Sequence, residues 1–179
     1  MKNEKLITLI ICAATGLCVA DTTNTVSKAR KPKQVFTFDF DLPGWKIAHV
    51  DQSGDFTLIE WTNNESVTNW TELVSGGILF IDTTKVHAQR YANFYVEGIM
   101  PGSIDFKVNC LVDTPDNVVI EWSHKGSGKW PAQREITHIS RGKDAIYRLA
   151  YTVKETSFDK EKYDLWLRSI RDAKLVDEK

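Results

Sequence analysis

The chain reads as an α+β protein, a mainly antiparallel sheet covered by helices in an α-β-α sandwich. Three observations predict it. Short runs in which apolar and polar residues alternate, such as Phe36, Phe38 and Phe40 against Thr37 and Asp39, recur along the chain with short polar connections between them. A stripe at helical spacing, Tyr163, Trp166, Leu167, Ile170 and Ala173, closes the chain. About 160 residues follow an amino-terminal leader, enough for one domain with its own core, and all six tryptophans of the chain lie among them.

The elements follow in order. Residues 1–20 have a basic start, an apolar run ending at Cys18-Val19-Ala20, and a small residue at the last position. That is the layout of a secretory signal, with cleavage expected after Ala20, and the run is short beside the ~20 apolar residues of a membrane span. The expected location is therefore secreted or periplasmic, with no stable transmembrane segment after processing. Residues 21–33, polar and basic without apolar period, read as a disordered arm. Residues 34–179 are expected to form a single α+β domain.

Within that domain, 34–41, 46–52 and 56–62 read as strands, with a turn at Leu42-Pro43-Gly44-Trp45 and another at Ser53-Gly54-Asp55. Val67, Trp70 and Leu73 or Val74 recur at helical spacing after Asn64 or Ser66, and Gly76-Gly77 follows, so 64–77 is expected to be a short capped helix with Trp70 on the core. Residues 78–84 read as a short strand. Residues 85–99 read as a second helix, stopped at Met100-Pro101-Gly102. Four strands come next. Phe106, Val108 and Cys110 are expected on one buried face, and 134–142 and 144–155 form a hairpin turning at Arg141-Gly142-Lys143-Asp144. The last helix, 158–176, is expected to be capped by Ser157. All these faces are expected to meet in one dry interior.

Two blocks resemble a family of uncharacterised secreted bacterial proteins. One is Gly44-Trp45, then Ile59-Glu60-Trp61, then 63–75, NNESVTNWTELVS, which contains ExxxNWTE from Glu65 to Glu72. The other is 139–155, ISRGKDAIYRLAYTVKE, followed by a helix with Leu165-Trp166. The order of elements also resembles the PsbP-like α-β-α sandwich. That resemblance implies a fold used mostly for binding or assembly, and it brings no active site with it.

Composition narrows the function classes. Without the leader the chain keeps 21 basic and 23 acidic residues, so no charge excess steers it to nucleic acid. Cys110 is the one cysteine left, so the mature chain is expected to fold on packing alone. No HExxH spacing, zinc knuckle or Gly-x-Ser-x-Gly elbow is present, and no cofactor or metal is expected. Lys125-Gly126-Ser127-Gly128-Lys129 lacks the spacing of a phosphate loop. Two glycosylation triplets, Asn64-Glu65-Ser66 and Asn69-Trp70-Thr71, are short enough to arise by chance.

One segment is locally basic: His124, Lys125, Lys129, Arg134, His138, Arg141 and Lys143 surround Trp130 against Glu135 alone. An exposed Trp beside cations stacks on a sugar, a base or a peptide aromatic while the cations hold an anion. These eight residues are the expected ligand patch of a non-catalytic binding or accessory protein. Its partner would be a protein or an anionic envelope or host ligand. The plainer reading is a solvated loop and strand face. The alternatives are a hydrolase using His124 or His138 with Glu121 or Asp144, and a structural assembly component of the cell envelope.

Overall fold

The computed structural model describes residues 7–8, 30–38, 43–63, 65–128 and 130–178. Most of the leader and of the arm therefore lies outside the described residues, as do Asn64 and Lys129.

Seven strands form one antiparallel sheet in the order β3-β4-β5-β9-β8-β7-β6. They are β3 (Trp45–Ser53), β4 (Phe56–Asn63), β5 (Glu72–Phe80), β6 (Lys107–Asp113), β7 (Asn117–His124), β8 (Gln133–Arg141) and β9 (Ala145–Lys154). A smaller sheet joins β1 (Ile7–Thr8), β2 (Gln34–Phe38) and β10 (Lys174–Asp177), with β2 in the middle. Helix α1 (Ala88–Ile99) lies on one face of the large sheet, and α2 (Lys160–Asp172) lies on the other. The α+β fold class and the antiparallel sheet between helices are as the alternation predicts. Among the described residues no helix is long and apolar enough to cross a membrane.

The α2 face is dry and aromatic. Ala145, Tyr147, Leu149, Tyr151 and Val153 of β9 alternate onto it, beside Ile136 of β8, Val74 and Ile78 of β5, and Ile59 and Trp61 of β4. Trp166 of α2 is 0% exposed. It stacks on Tyr151 with centroids 4.5 Å apart and meets Trp45 edge-on at 5.8 Å. Phe36 and Phe38 of β2 join the same cluster. Asp159 caps α2, accepting from the Lys162 amide at 2.9 Å, while Ser157 closes a short 3-10 turn over Glu155–Ser157.

The α1 face carries a second, separate cluster. Val118, Ile120 and Trp122 of β7, Ile139 of β8 and Ile146 of β9 pack under Ala88 and Ala92 of α1. The expected single interior is therefore two clusters divided by the sheet.

Three local expectations change. Residues 64–77 form no helix. Glu65 accepts from the Thr71 amide at 2.7 Å and from its hydroxyl, which closes a loop. The chain then runs straight into β5, with β4 and β9 on either side. Gly76 and Gly77 sit in mid-strand and are absent from the positive-φ residues, so they stop nothing. The helical spacing of Val67, Trp70 and Leu73 was outweighed by a ladder whose β9 partners stand over seventy residues away. Cys110 is exposed, because β6 is a bulged edge strand and α1 packs on β7 and β8 instead. Helix α2 ends at Asp172: Ala173 turns extended, and residues 174–177 pair with β2.

The ExxxNWTE block thus divides its labour. Glu65 closes the loop, Trp70 turns to the α1 face, and Glu72 reaches the opposite face to bind Lys162 of α2 at 2.5 Å.

Candidate functional site

Helix α1 is short beside the sheet and leaves part of its face uncovered. There the β-ladder brings together polar side chains from five strands: His49 of β3, Glu60 of β4, Ser75 of β5, Arg148 and Thr152 of β9, and Gln133 and Glu135 of β8. They floor a cavity of about 770 Å³. Its walls are Val67, Trp70 and Leu73 from the loop before β5 and its start, Tyr95 and Ile99 from α1, and Trp122. The 125–132 loop closes it with Ser127, Gly128 and Trp130.

The floor is built around one buried ion pair. Arg148 and Glu135 have side chains only 10% and 6% exposed, 3.7 Å apart. Arg148 donates to the Tyr95 and Ser75 hydroxyls at 2.9 Å each. Glu135 accepts from Tyr95 at 2.5 Å, Trp122 Nε1 at 3.1 Å and Thr152 at 2.8 Å, and also from Thr137. A buried charge needs this many partners to be tolerated. Gly77 lies opposite Arg148 on β5, where a Cβ would stand 3.4 Å from Arg148 Nε, in ordinary van der Waals contact. Burial pushes the Tyr95 phenol far above its ordinary pKa, so it stays a hydrogen-bond donor.

Three side chains on this floor stay less engaged. Glu60 and His49 are cross-strand partners. Burial raises the Glu60 pKa, against the pull of His49 and Arg148. Gln133 Oε1 is buried with no hydrogen-bond partner.

The loop over the cavity is well tied. Gly126 sits at φ +114°, a conformation left to glycine, and its amide donates to His124 Nδ1 at 2.8 Å. Ser127 and Trp130 exchange two hydrogen bonds, 2.9 and 3.0 Å long. Trp130 is 57% exposed.

The expected ligand patch is dispersed by the sheet. His124 is buried beside the cavity and stacks on Trp122 at 5.6 Å. Its Nδ1 accepts, which places the proton of the neutral ring on Nε2, an atom without a partner. Lys125 pairs with Asp105 at 2.7 Å. Arg134 and His138 point to the α2 face. Arg134 binds Glu155 at 2.7 Å and covers the Phe158 ring, and His138 bonds the Ile170 carbonyl at 2.9 Å. Arg141 and Lys143 lie at the far end of the hairpin, on Asp116 at 2.5 Å and Asp177 at 2.6 Å, around a separate hollow. Of the seven described members, Trp130 alone lines the large cavity, with His124 and Lys125 in the strand end and loop beside it.

The expected pairs His124 with Glu121 and His138 with Asp144 are not joined. His124 and Glu121 alternate to opposite faces of β7, and Glu121 is engaged by the Tyr163 hydroxyl. His138 is held by Ile170 and Ser140, while Asp144 accepts from Tyr147 and the Lys33 amide. Among the described residues no three His, Cys, Asp or Glu side chains converge as a metal site.

Sequence reasoning missed the cavity floor. Its one visible trace was Arg148 standing among the apolar residues of β9, a pattern that marks a charge with a buried partner.

No family model matches the chain, and no curated protein matches it. Among solved structures it is similar to the solution structure of cyanobacterial PsbP (CyanoP) from Synechocystis sp. PCC 6803. The TM-score is 0.51 at 11% identity, over 87% of this chain and 98% of that one. The chain has a PsbP-like fold. At that identity the likeness concerns the path of the backbone and carries no site residue across.

Proposed function

We propose that the chain is an exported, non-catalytic binding or accessory protein whose ligand site is the α1-face cavity under the Trp130 loop. The observation that carries the reading is the floor: a hydrogen-bonded Arg148–Glu135 ion pair, with Glu60 and His49 beside it, beneath about 770 Å³ of open volume with aromatic walls. Ligand sites are concave, mostly apolar, and contain a few well-placed polar groups. The PsbP-like fold and the leader-like residues 1–20 support an accessory role outside the cytoplasm, secreted or periplasmic. Membership of the ExxxNWTE family of secreted proteins belongs to the same proposal. So does an envelope or host molecule as partner. Of the basic segment, the reading keeps Trp130 at the rim, with His124 and Lys125 beside it.

The test is thermal shift and tryptophan quenching with a library of envelope-derived compounds. A binder should raise the melting temperature of the wild type and lose that effect in Trp130→Ala and in the cavity-filling Leu73→Trp. Binders that ignore both substitutions would reject the site.

A second reading has one observation in its favour. His49 and Glu60 place an imidazole and a carboxyl of raised pKa in one cavity, the minimum for acid–base hydrolysis. Turnover that disappears in His49→Ala while the fold persists would select it over simple binding.

A further inference from the structure

Resting on the binding reading of the cavity, we infer that its ligand is a small organic cation with N–H donors, a protonated amine. The charges of the lining point that way. Among its described residues three are charged: Arg148, Glu135 and Glu60. One guanidinium thus faces two carboxylates. Arg148 is engaged within the floor, 3.7 Å from Glu135 and donating to Tyr95 and Ser75. Glu60 carries the negative charge left over. It is half-buried, and among the described residues it makes no hydrogen bond or ion pair and feels only the fields of His49 and Arg148.

An anion, the ligand expected from the basic segment, would add a third negative charge to this lining and find its guanidinium already taken. A neutral ligand would seal Glu60 from water with its charge uncompensated, and a buried unpaired charge is among the costliest groups in a protein. Burial raises the Glu60 pKa, so its charge is disfavoured even in the open cavity. A cation reverses that cost. It brings the charge of the lining to zero, and its N–H groups supply the donors the carboxylate lacks, as charge-assisted hydrogen bonds.

The aromatic walls carry the same sign preference, since a ring face attracts positive charge. Two of them already hold cations of the chain itself: Arg148 lies 5.1 Å over Tyr95, and Lys154, outside the lining, lies 4.9 Å over Trp70. Trp122 stacks with Phe106 and His124. Trp130 is different. Its side chain is exposed, makes no ring or cation contact among the described residues, and hangs on a backbone tied to Ser127. It leaves a face for the ligand. Val67, Leu73 and Ile99 line the same space, so the charge belongs on an apolar frame.

The experiment is a titration of the purified chain, followed by the indole N–H resonances of Trp70 and Trp122. The probes are butylamine, phenethylamine, cadaverine and agmatine, with tetramethylammonium, benzoate, inorganic phosphate and N-acetylglucosamine in parallel arms. At least one amine should give saturable shifts. Glu60→Gln, which keeps the size of the side chain and removes its charge, should weaken that amine ~10-fold. Trp130→Ala should weaken it ~10-fold as well, and Lys160→Ala on the opposite side of the sheet should leave it unchanged. Tetramethylammonium, a cation without donors, should bind more weakly than the amine. An amine that binds Glu60→Gln with undiminished affinity, or tetramethylammonium that binds as tightly as every amine, overturns the inference. Saturation by benzoate, phosphate or the sugar with no response to any amine overturns the amine while leaving the cavity a binding site. Silence in every arm counts against both.

Discussion

The two faces of the large sheet use the same strands for opposite ends. Under α2, Trp166, Tyr151, Trp45 and the phenylalanines of β2 pack dry, and little polar chemistry remains. Under α1, half the face is packed by Ala88 and Ala92, and the other half holds Arg148, Glu135, Glu60 and His49 around open volume. Apolar burial is the larger source of stability per residue, at about 25 cal/mol per Å². A satisfied buried ion pair contributes little net and becomes damaging when one member is removed. The α2 face therefore stabilises the fold, and the α1 face draws on that stability to hold a charged floor.

Substitutions test that division, from the largest effect down. Trp166→Ala should cost about 3–5 kcal/mol in urea unfolding, because it opens a cavity where Tyr151 stacks. Arg148→Ala should cost about as much, roughly 3–5 kcal/mol, by stranding Glu135. The two differ in rescue. Arg148→Met combined with Glu135→Gln should recover part of the loss by removing both charges while keeping an acceptor for Tyr95, Trp122 and Thr152, whereas no partner substitution should restore Trp166→Ala. A double variant no better than Arg148→Ala would show that the floor network stabilises on its own account. Lys162→Ala, which frees Glu72 at the partly exposed α2 contact, should cost only ~1 kcal/mol.

A pH series separates the faces next. Burial holds the His138 pKa below the ordinary His value of 6.5. The unfolded ring takes a proton near that value and the native ring resists it. Stability is thus fully present above about pH 6.5 and falls as pH drops below it, towards the native pKa. His124 is shifted in the same direction by burial. Melting between pH 7.5 and 5 should show a decline that shrinks in His138→Gln, and an unchanged slope would assign the decline to other groups. The smallest effect is expected at Trp130→Ala, within about 0.5 kcal/mol of wild type. A larger loss would mean that the cavity rim is part of the core.

Legibility followed the distance over which each signal acts. The alternation in 34–38 and 144–155 and the stripe from Tyr163 to Ile170 are local patterns, and each element stands where the pattern places it. Residues 64–77 failed because a helical spacing there competes with pairing to β9, which no local window contains. Strand β10 was hidden for the same reason, since its partner β2 lies at the other end of the domain. The basic segment 124–143 is continuous in sequence, but a strand alternates its side chains. Arg134 and His138 therefore leave the face on which Trp130 sits. The floor gathers residues from five strands, and adjacency along the chain says nothing about that.

Strand β9 carries both faces on successive residues: 147, 149, 151 and 153 inward to α2, 148, 150 and 152 outward to the floor. A one-residue slip of this strand would exchange the two sets, putting Arg148 under α2 and Tyr147 on the floor. The same ladder therefore guards the dry interior and the ion pair at once, and neither face can be misregistered without ruining the other.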